Sequence, residues 1–336
     1  MLGTFVLFLL CILDAAAFSV SGPPEVYTVR SSPGKGFGVF AAVALEPGSI
    51  IMRETPVIKI TPPPLHEGFG HAMREVGVLV REVFETLPKD SQAEIMSLHA
   101  YSTTTEQERP DYDELVPIFR CNAYYSGNEI GLFPKIARIN HSCRPNTSYF
   151  WNEQLNRRIV YATRPIGVGE EIFVSYIPLL QTSTERQKRL DQYGFKCTCA
   201  ACAADTHSQK SSDRRRVEIR QSINILEEHS AIDVPGIVAG KRKLQILASE
   251  SRQLVDAVEE EEVADYYSQC YRLAAIFHAN IQDWEAASMW ARKSYHLKMM
   301  ADATSPGTKE MELLTTLILA TWEKEVKENA TSQVWH

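Results

Sequence analysis

Arg138-Ile139-Asn140-His141-Ser142-Cys143-Arg144-Pro145-Asn146 is the stretch on which the reading of this chain turns. It is too polar for a core strand and too particular in its order for an ordinary loop. It requires partners elsewhere in the chain: something for Cys143 to bind, and something for the Asn140–His141 pair to hold.

The nearest set of partners is a run of cysteines. The chain has seven, and three of them crowd into Cys197-Thr-Cys199-Ala-Ala-Cys202. An odd, uneven set does not read as a disulfide framework, and neighbours so close rarely pair with each other. Such a cluster reads as metal ligation: a structural Zn²⁺ takes four thiolate or imidazole ligands in a tetrahedron. Cys197, Cys199 and Cys202 supply three. Cys143 is the first candidate for the fourth because it sits in a polar turn, whereas Cys11, Cys121 and Cys270 lie in apolar segments; His141 is the next choice. A metal there would clip the Asn-His-Ser-Cys loop to a later part of the chain and stabilise short strands around it.

Composition sets the outer limits. With 336 residues, 44% hydrophobic and 23% charged, the chain is globular and long enough for one large or two ordinary domains. A net charge of -7 argues against strong non-specific attraction to nucleic acid. Arg214-Arg215-Arg216 is a local exception, read either as a basic patch or as the solvated start of a helix. At the N-terminus, Phe5–Leu13 is apolar and leads through Asp14 to Ala15-Ala16-Ala17. That is the core and small-residue exit of a secretory signal without its basic start, and it is short for a membrane span. The competing reading is a start that serves no export.

Periodicity gives the layout. Short strands joined by tight turns are expected from Glu25 to Ile60, with turns at Ser31-Ser32-Pro33-Gly34 and Glu46-Pro47-Gly48. Val76, Leu79, Val80 and Phe84 fall at helical spacing and open a helical insertion from Leu65 to about Phe119. Strand character is expected again from Phe119 to Tyr125, in a hairpin around Asn152–Asn156, and from Glu171 to Tyr176. A short basic helix over Glu185–Tyr193 precedes the cysteines, and a polar linker is expected over Asp205–Ser212. Helices are then expected over Val217–His229, Ile237–Val258, Val263–Ile281, Trp284–Ala303 and Lys309–Val326, arranged as a tetratricopeptide-like array or a plain bundle. The fold class is α+β.

Four motifs occur in a set order: Gly36-Phe37-Gly38 after a turn; Asn140-His141-Ser142-Cys143; Gly169-Glu-Glu-Ile172 leading to Tyr176; and Phe195-Lys-Cys197-Thr-Cys199-Ala-Ala-Cys202. Together they resemble the SET domain of protein lysine methyltransferases, and within it the SET- and MYND-domain (SMYD) type. Beyond the apolar segment over 1–22, read above as a signal or anchor, the resemblance implies a SET domain over 23–180 with the insertion at about 65–119, a zinc-bound post-SET segment over 181–204, and a helical C-terminal region over 205–336. The insertion contains no cysteine, so the zinc finger that interrupts the SET core in that family is not expected.

The same resemblance implies S-adenosylmethionine as donor and a structural zinc. Lys35, Gly36, Phe37 and Gly38 look like the first donor loop. Asn140 and His141 are similar to the pair that hydrogen-bonds the donor, Asn122 to a further contact, and Phe195 to the aromatic that covers the adenine. Tyr176 matches the tyrosine beside the transferring methyl group, and Tyr193 a channel-lining aromatic; Tyr124, Tyr125 and Tyr161 are further candidates. The metal set is Cys143, Cys197, Cys199 and Cys202. The expected reaction is methyl transfer to an amine, a protein or peptide lysine first, with a small peptide or metabolite amine, or a non-catalytic interaction protein, as alternatives. The expected state is a monomer in cytoplasm or nucleus, with no direct nucleic-acid partner and membrane contact only through the N-terminal segment, which leaves a secretory location open.

Overall fold

A computed structural model describes residues 25–66, 70–230 and 240–333. The apolar segment 1–22 and the helix start expected at Ile237 lie outside the described residues. In chain order the elements are β1 (Tyr27–Ser32), β2 (Gly36–Ala41), β3 (Ile50–Glu54), β4 (Ile58–Ile60), β5 (Leu65–His66) and β6 (Gly70–His71). Four helices follow: α1 (Met73–Thr86), α2 (Lys89–Met96), α3 (Thr104–Gln107) and α4 (Leu115–Asn122). Strands resume with β7 (Ala123–Ser126), β8 (Glu129–Leu132), β9 (Asn140–His141), β10 (Thr147–Asn152), β11 (Arg157–Ala162) and β12 (Glu171–Val174). The remainder is helical: α5 (Ser183–Leu190), α6 (Ala200–Ala203), α7 (Thr206–Glu228), α8 (Lys241–Glu260), α9 (Tyr267–Asn280), α10 (Trp284–Asp302) and α11 (Pro306–Gln333).

The strands form small sheets instead of one large one. β1, β2, β12 and β9 make one, β10, β11 and β3 a second, and β4, β8 and β7 a third. Val39, Val160, Ile172 and Val174 are fully buried where the first two meet, alongside Phe133, Ile136 and Ile139. Burying each such side chain contributes roughly 1.5–3 kcal/mol. The decisive pairing is the parallel one between β12 and β9, with Phe173 beside Asn140 and Val174 beside His141. It places a two-residue strand of the Arg138–Asn146 stretch next to the strand that runs into Tyr176.

Two expectations are corrected. Phe119–Asn122 belongs to α4, not to a strand: Leu115, Ile118, Phe119 and Asn122 recur at helical spacing and are buried, the first three in the core of the insertion with Val76, Val80 and Phe84. The strand begins only at Ala123. Asp205–Ser212 is likewise not a linker. The Asp205 carboxylate accepts from the His207 and Ser208 amides and caps α7, which therefore starts about three turns early. The helices from α7 to α11 pack each against the next, burying Leu254, Val255, Leu273, Ala274, Phe277 and Ala291. Cys143 and Cys197 belong to that same core, so the cysteine cluster sits where the strands and the late helices meet. Among the described residues no helix is long and apolar enough to cross a membrane.

Candidate active site and cysteine cluster

The Sγ atoms of Cys143, Cys197, Cys199 and Cys202 all lie within 4.8 Å of one another, with Cys143 and Cys202 at 3.6 Å. Zn–S bonds of ~2.3 Å at tetrahedral angles put sulfurs ~3.8 Å apart, so the four thiols fit that ion. Cys199 is the most acidic of them: the neighbouring thiols of Cys143, Cys197 and Cys202 and the Cys143 amide donate to its sulfur and hold it well below the usual thiol range. Cys199 also opens α6, which carries Cys202 back towards Cys143. Gln187 on α5 receives the Cys197 amide at 3.0 Å and fixes the other end of the loop.

His141 is the joint between this cluster and Tyr176. Its Nδ1 accepts the Tyr176 amide at 3.1 Å, which leaves the proton on Nε2, 3.4 Å from the Cys143 sulfur. Burial pushes the imidazole down to about 4, so it is neutral at physiological pH. Both ring nitrogens are therefore committed within the protein, and only the ring presents itself to the cavity beside it. The Asn140 side chain donates to the Phe37 carbonyl at 3.0 Å and to Glu171 at 2.7 Å. Lys35 closes this corner on Glu171 at 3.3 Å.

That cavity has a volume of about 640 Å³. It is walled by Lys35, Gly36 and Phe37 from the β1–β2 turn, by Asn140 and His141, and by Tyr176, Tyr193 and Phe195. The rings of Tyr176 and Tyr193 are 5.0 Å apart, and Phe195 meets Tyr176 edge-on at 6.5 Å. The Tyr176 hydroxyl donates to the Ile139 carbonyl at 2.6 Å, and burial lifts its phenol far above the ordinary range. It is thus a neutral hydrogen-bonding group and not a base. Gly194 between the two aromatics has φ +75°, and a Cβ there would lie 2.1 Å from the Tyr101 ring, so only glycine lets the insertion close on this turn.

Most of the residues singled out from the sequence meet here, with two differences. Gly38 is not on the cavity wall; it lies behind it, where a Cβ would fall 2.5 Å from Glu171 and 2.9 Å from Asn140. Asn122 reaches the wall, but its Nδ2 is bound to the His99 and Ile118 carbonyls at 2.6 and 2.7 Å. Its amino group therefore braces α4 against the preceding loop. The insertion also supplies Ser97, His99 and Cys121 to the wall, and Arg138 clamps Ser97 through its carbonyl and hydroxyl. Helical spacing alone marks these as part of an insertion and says nothing of what they face.

Two fully buried arginines back the cysteine cluster. Arg216 donates to the Cys143 carbonyl and the Leu179 carbonyl, both at 3.0 Å, and pairs with the fully buried Glu261 at 2.9 Å. Arg215 joins the same carboxylate. The Arg214–Arg216 run is thus neither a basic patch nor a solvated helix start at its third member. Arg186 on α5 binds the Gln181 carbonyl at 2.5 Å and is drawn further towards its charged form by the Cys143 and Cys202 thiols, against the cost of its burial.

Residues 36–177 match the SET domain, and the chain is similar to SET-type methyltransferases, those of the SMYD type among them. It is 28% identical over 271 residues to the Schizosaccharomyces pombe histone-lysine N-methyltransferase set5, covering 80% of this chain and 76% of that protein. It is 30% identical over 224 residues to the Rattus norvegicus N-lysine methyltransferase SMYD2, covering 60% of this chain and 50% of that protein. To the Homo sapiens histone-lysine N-methyltransferase SMYD3 it is 37% identical over 115 residues, 33% of this chain and 26% of that protein. The chain therefore spans about half or less of the length of the latter two.

Proposed function

We propose that the chain transfers a methyl group from S-adenosylmethionine to a lysine side chain of a protein. What supports this most is the cavity that gathers Lys35–Phe37, Asn140–His141, Tyr176 and Tyr193–Phe195, four separated segments, around one space of about 640 Å³. That volume suits a cofactor-sized molecule, and its aromatic walls suit both a flat base and a sulfonium cation. Bound there, the donor supplies a methyl group on a positively charged sulfur.

The residues present then have separate tasks. Phe195 covers the base, and the β1–β2 turn closes on the donor with glycine at Gly36, where φ is +76°. Tyr176 holds the reacting groups in line through a hydroxyl that stays protonated, and positioning of this kind supplies most of the rate in a direct displacement. Tyr193 lines the cavity beside Tyr176, and Tyr124 and Tyr149, 5.2 Å apart, pack with Tyr176 against the strand core behind it. The amine must arrive neutral, although lysine has a pKa near ~10.4 in water. Zinc at the four cysteines fixes the Asn140–Cys143 loop and the Tyr193–Phe195 turn relative to each other. That the relatives are histone-lysine and N-lysine methyltransferases favours a protein acceptor.

The test is transfer of labelled methyl from the donor to core histones, extract proteins and free amines, with Tyr176→Phe beside the wild type. Labelling of protein lysine that falls at least ~10-fold in the variant is the expected result. Labelling of small amines only would move the acceptor class, and donor binding with no transfer anywhere would make the chain an interaction protein.

A further inference from the structure

Arg158 lies in the interior of the β10–β11 hairpin and is only 3% exposed. Its guanidinium sits over three rings: Tyr124 at 4.6 Å, Tyr149 at 4.9 Å and Phe133 at 5.2 Å. One amino group donates to the Tyr125 carbonyl, and its Nε has no partner. Among the described residues no carboxylate lies within ion-pair distance of it. Glu54, opposite it on β3, is occupied by the Lys135 and Ile136 amides. Trp151, its other cross-strand neighbour, carries no charge. A buried cation without a counterion is costly and is rarely retained for stability.

Its setting gives that charge a use. Tyr124 and Tyr149 pack against the same core cluster as Tyr176, and Tyr149 hydrogen-bonds the Ser175 carbonyl next to it. On their own, aromatic rings around an amine attract its ammonium form, which has no lone pair and cannot accept a methyl group. A fixed positive charge seated on the same rings opposes that attraction in a low-dielectric setting.

We propose that Arg158 is an electrostatic positioning residue of the acceptor site, whose buried charge drives the incoming lysine ammonium to release its proton before methyl transfer. This rests on the methyltransferase reading above. The proton leaves to water; the freed nitrogen lone pair then forms the N–C bond as the C–S bond breaks and its electrons return to sulfur. The other ionisable groups facing this space are Tyr176, Tyr193, Cys121 and Tyr124, with Asp265 beyond Tyr149 and Glu171 beyond Tyr176. Glu171 is already engaged by Lys35 and Asn140.

The experiment is the pH dependence of kcat on core histones at saturating donor and acceptor, for wild type, Arg158→Met and Arg158→Lys. In Arg158→Met the acid limb moves up by about one pH unit, so kcat near neutrality falls about 10-fold. KM falls as well, because the ammonium form binds more readily. Arg158→Lys keeps the charge and the wild-type limb. A folded Arg158→Met with an unmoved limb, or a folded Arg158→Lys with a limb shifted like that expected for Met, overturns the proposal. Binding of n-butylammonium to the donor-free protein at pH 7, followed by NMR, needs no activity. It is expected to be about 10-fold tighter in Arg158→Met, and equal affinities overturn the proposal. Wild type that transfers no methyl to any acceptor while the binding difference holds sinks the function reading instead.

Discussion

Arg216 and Arg158 are both buried arginines, and they differ in what surrounds them. Arg216 has a buried carboxylate, Glu261, and two carbonyls, one of them that of Cys143. Arg158 has aromatic faces, one carbonyl and, among the described residues, no acid. The first arrangement is neutralised locally and acts as a strut between α7, the end of α8 and the metal-loop carbonyl. The second leaves its charge uncompensated, and the field is felt by whatever enters beside Tyr124. Buried charge with a counterion is architecture, and buried charge without one points to a reaction.

The largest expected effect lies on the strut side. Chelating the metal, or Cys199→Ser, should take bound zinc from one per chain to none and weaken donor affinity at least ~10-fold, because the His141–Cys143 and Phe195–Cys197 segments share the loop. Metal analysis with donor titration measures both. Unchanged donor affinity in a folded, zinc-free chain would separate the strut from the cavity, and undiminished zinc in Cys143→Ala would remove Cys143 from the ligand set.

Next comes the pair itself. Glu261→Ala leaves Arg216 without its carboxylate, and should cost about 3–5 kcal/mol in denaturant unfolding. Replacing both together, Arg216→Met with Glu261→Leu, should recover most of that loss. A cost for Glu261→Ala below ~1 kcal/mol would collapse the distinction between the two arginines.

A third test uses a half-buried acid held by backbone amides, Glu54. Burial lifts the Glu54 carboxyl from its ordinary 4.5 to about 6. The folded state keeps that proton where the unfolded chain has lost it, so stability falls as pH rises from about 4.5 through 6. Glu54→Gln should flatten that window by about 2 kcal/mol, read from denaturation midpoints at successive pH values. An unaltered slope would mean that Glu54 titrates alike in the folded and the unfolded chain.

The smallest effect concerns the start of α5, which carries Arg186 and Gln187 to the cysteines. Thr182 and Glu185 form a reciprocal capping box there. Thr182→Ala should lower stability by about 1 kcal/mol while zinc content stays at one per chain.

These contrasts show what could be read from the sequence. The Arg138–Asn146 stretch, Tyr176 and the four cysteines announced themselves because their residue types are unusual and their order is fixed by chemistry. The late helices were legible from apolar spacing. Phe119–Asn122 was not, because four residues led by an aromatic, next to a true strand, look alike in either state until packing on α1 decides it. Asp205–Ser212 was missed because a capped, exposed first turn is as polar as a linker. Arg216 reads as one of three solvated arginines, since its carboxylate lies 45 residues further on. Arg158 is invisible for the same reason: its partners are rings from β7, β10 and the residue after β8, which only the folded sheets bring together.

The bond from Arg216 to the Cys143 carbonyl also limits how the chain can be divided. A proteolytic nick between Ala204 and Asp205 would fall after every cysteine of the cluster and after every residue of the cavity wall, and would seem harmless. Yet it would release the cation that holds the Cys143 carbonyl and expose the apolar faces of Leu190, Ala201 and Cys197 that share a core with α7 to α11. The fragment ending at Ala204 should therefore be an aggregating remnant instead of a minimal catalyst.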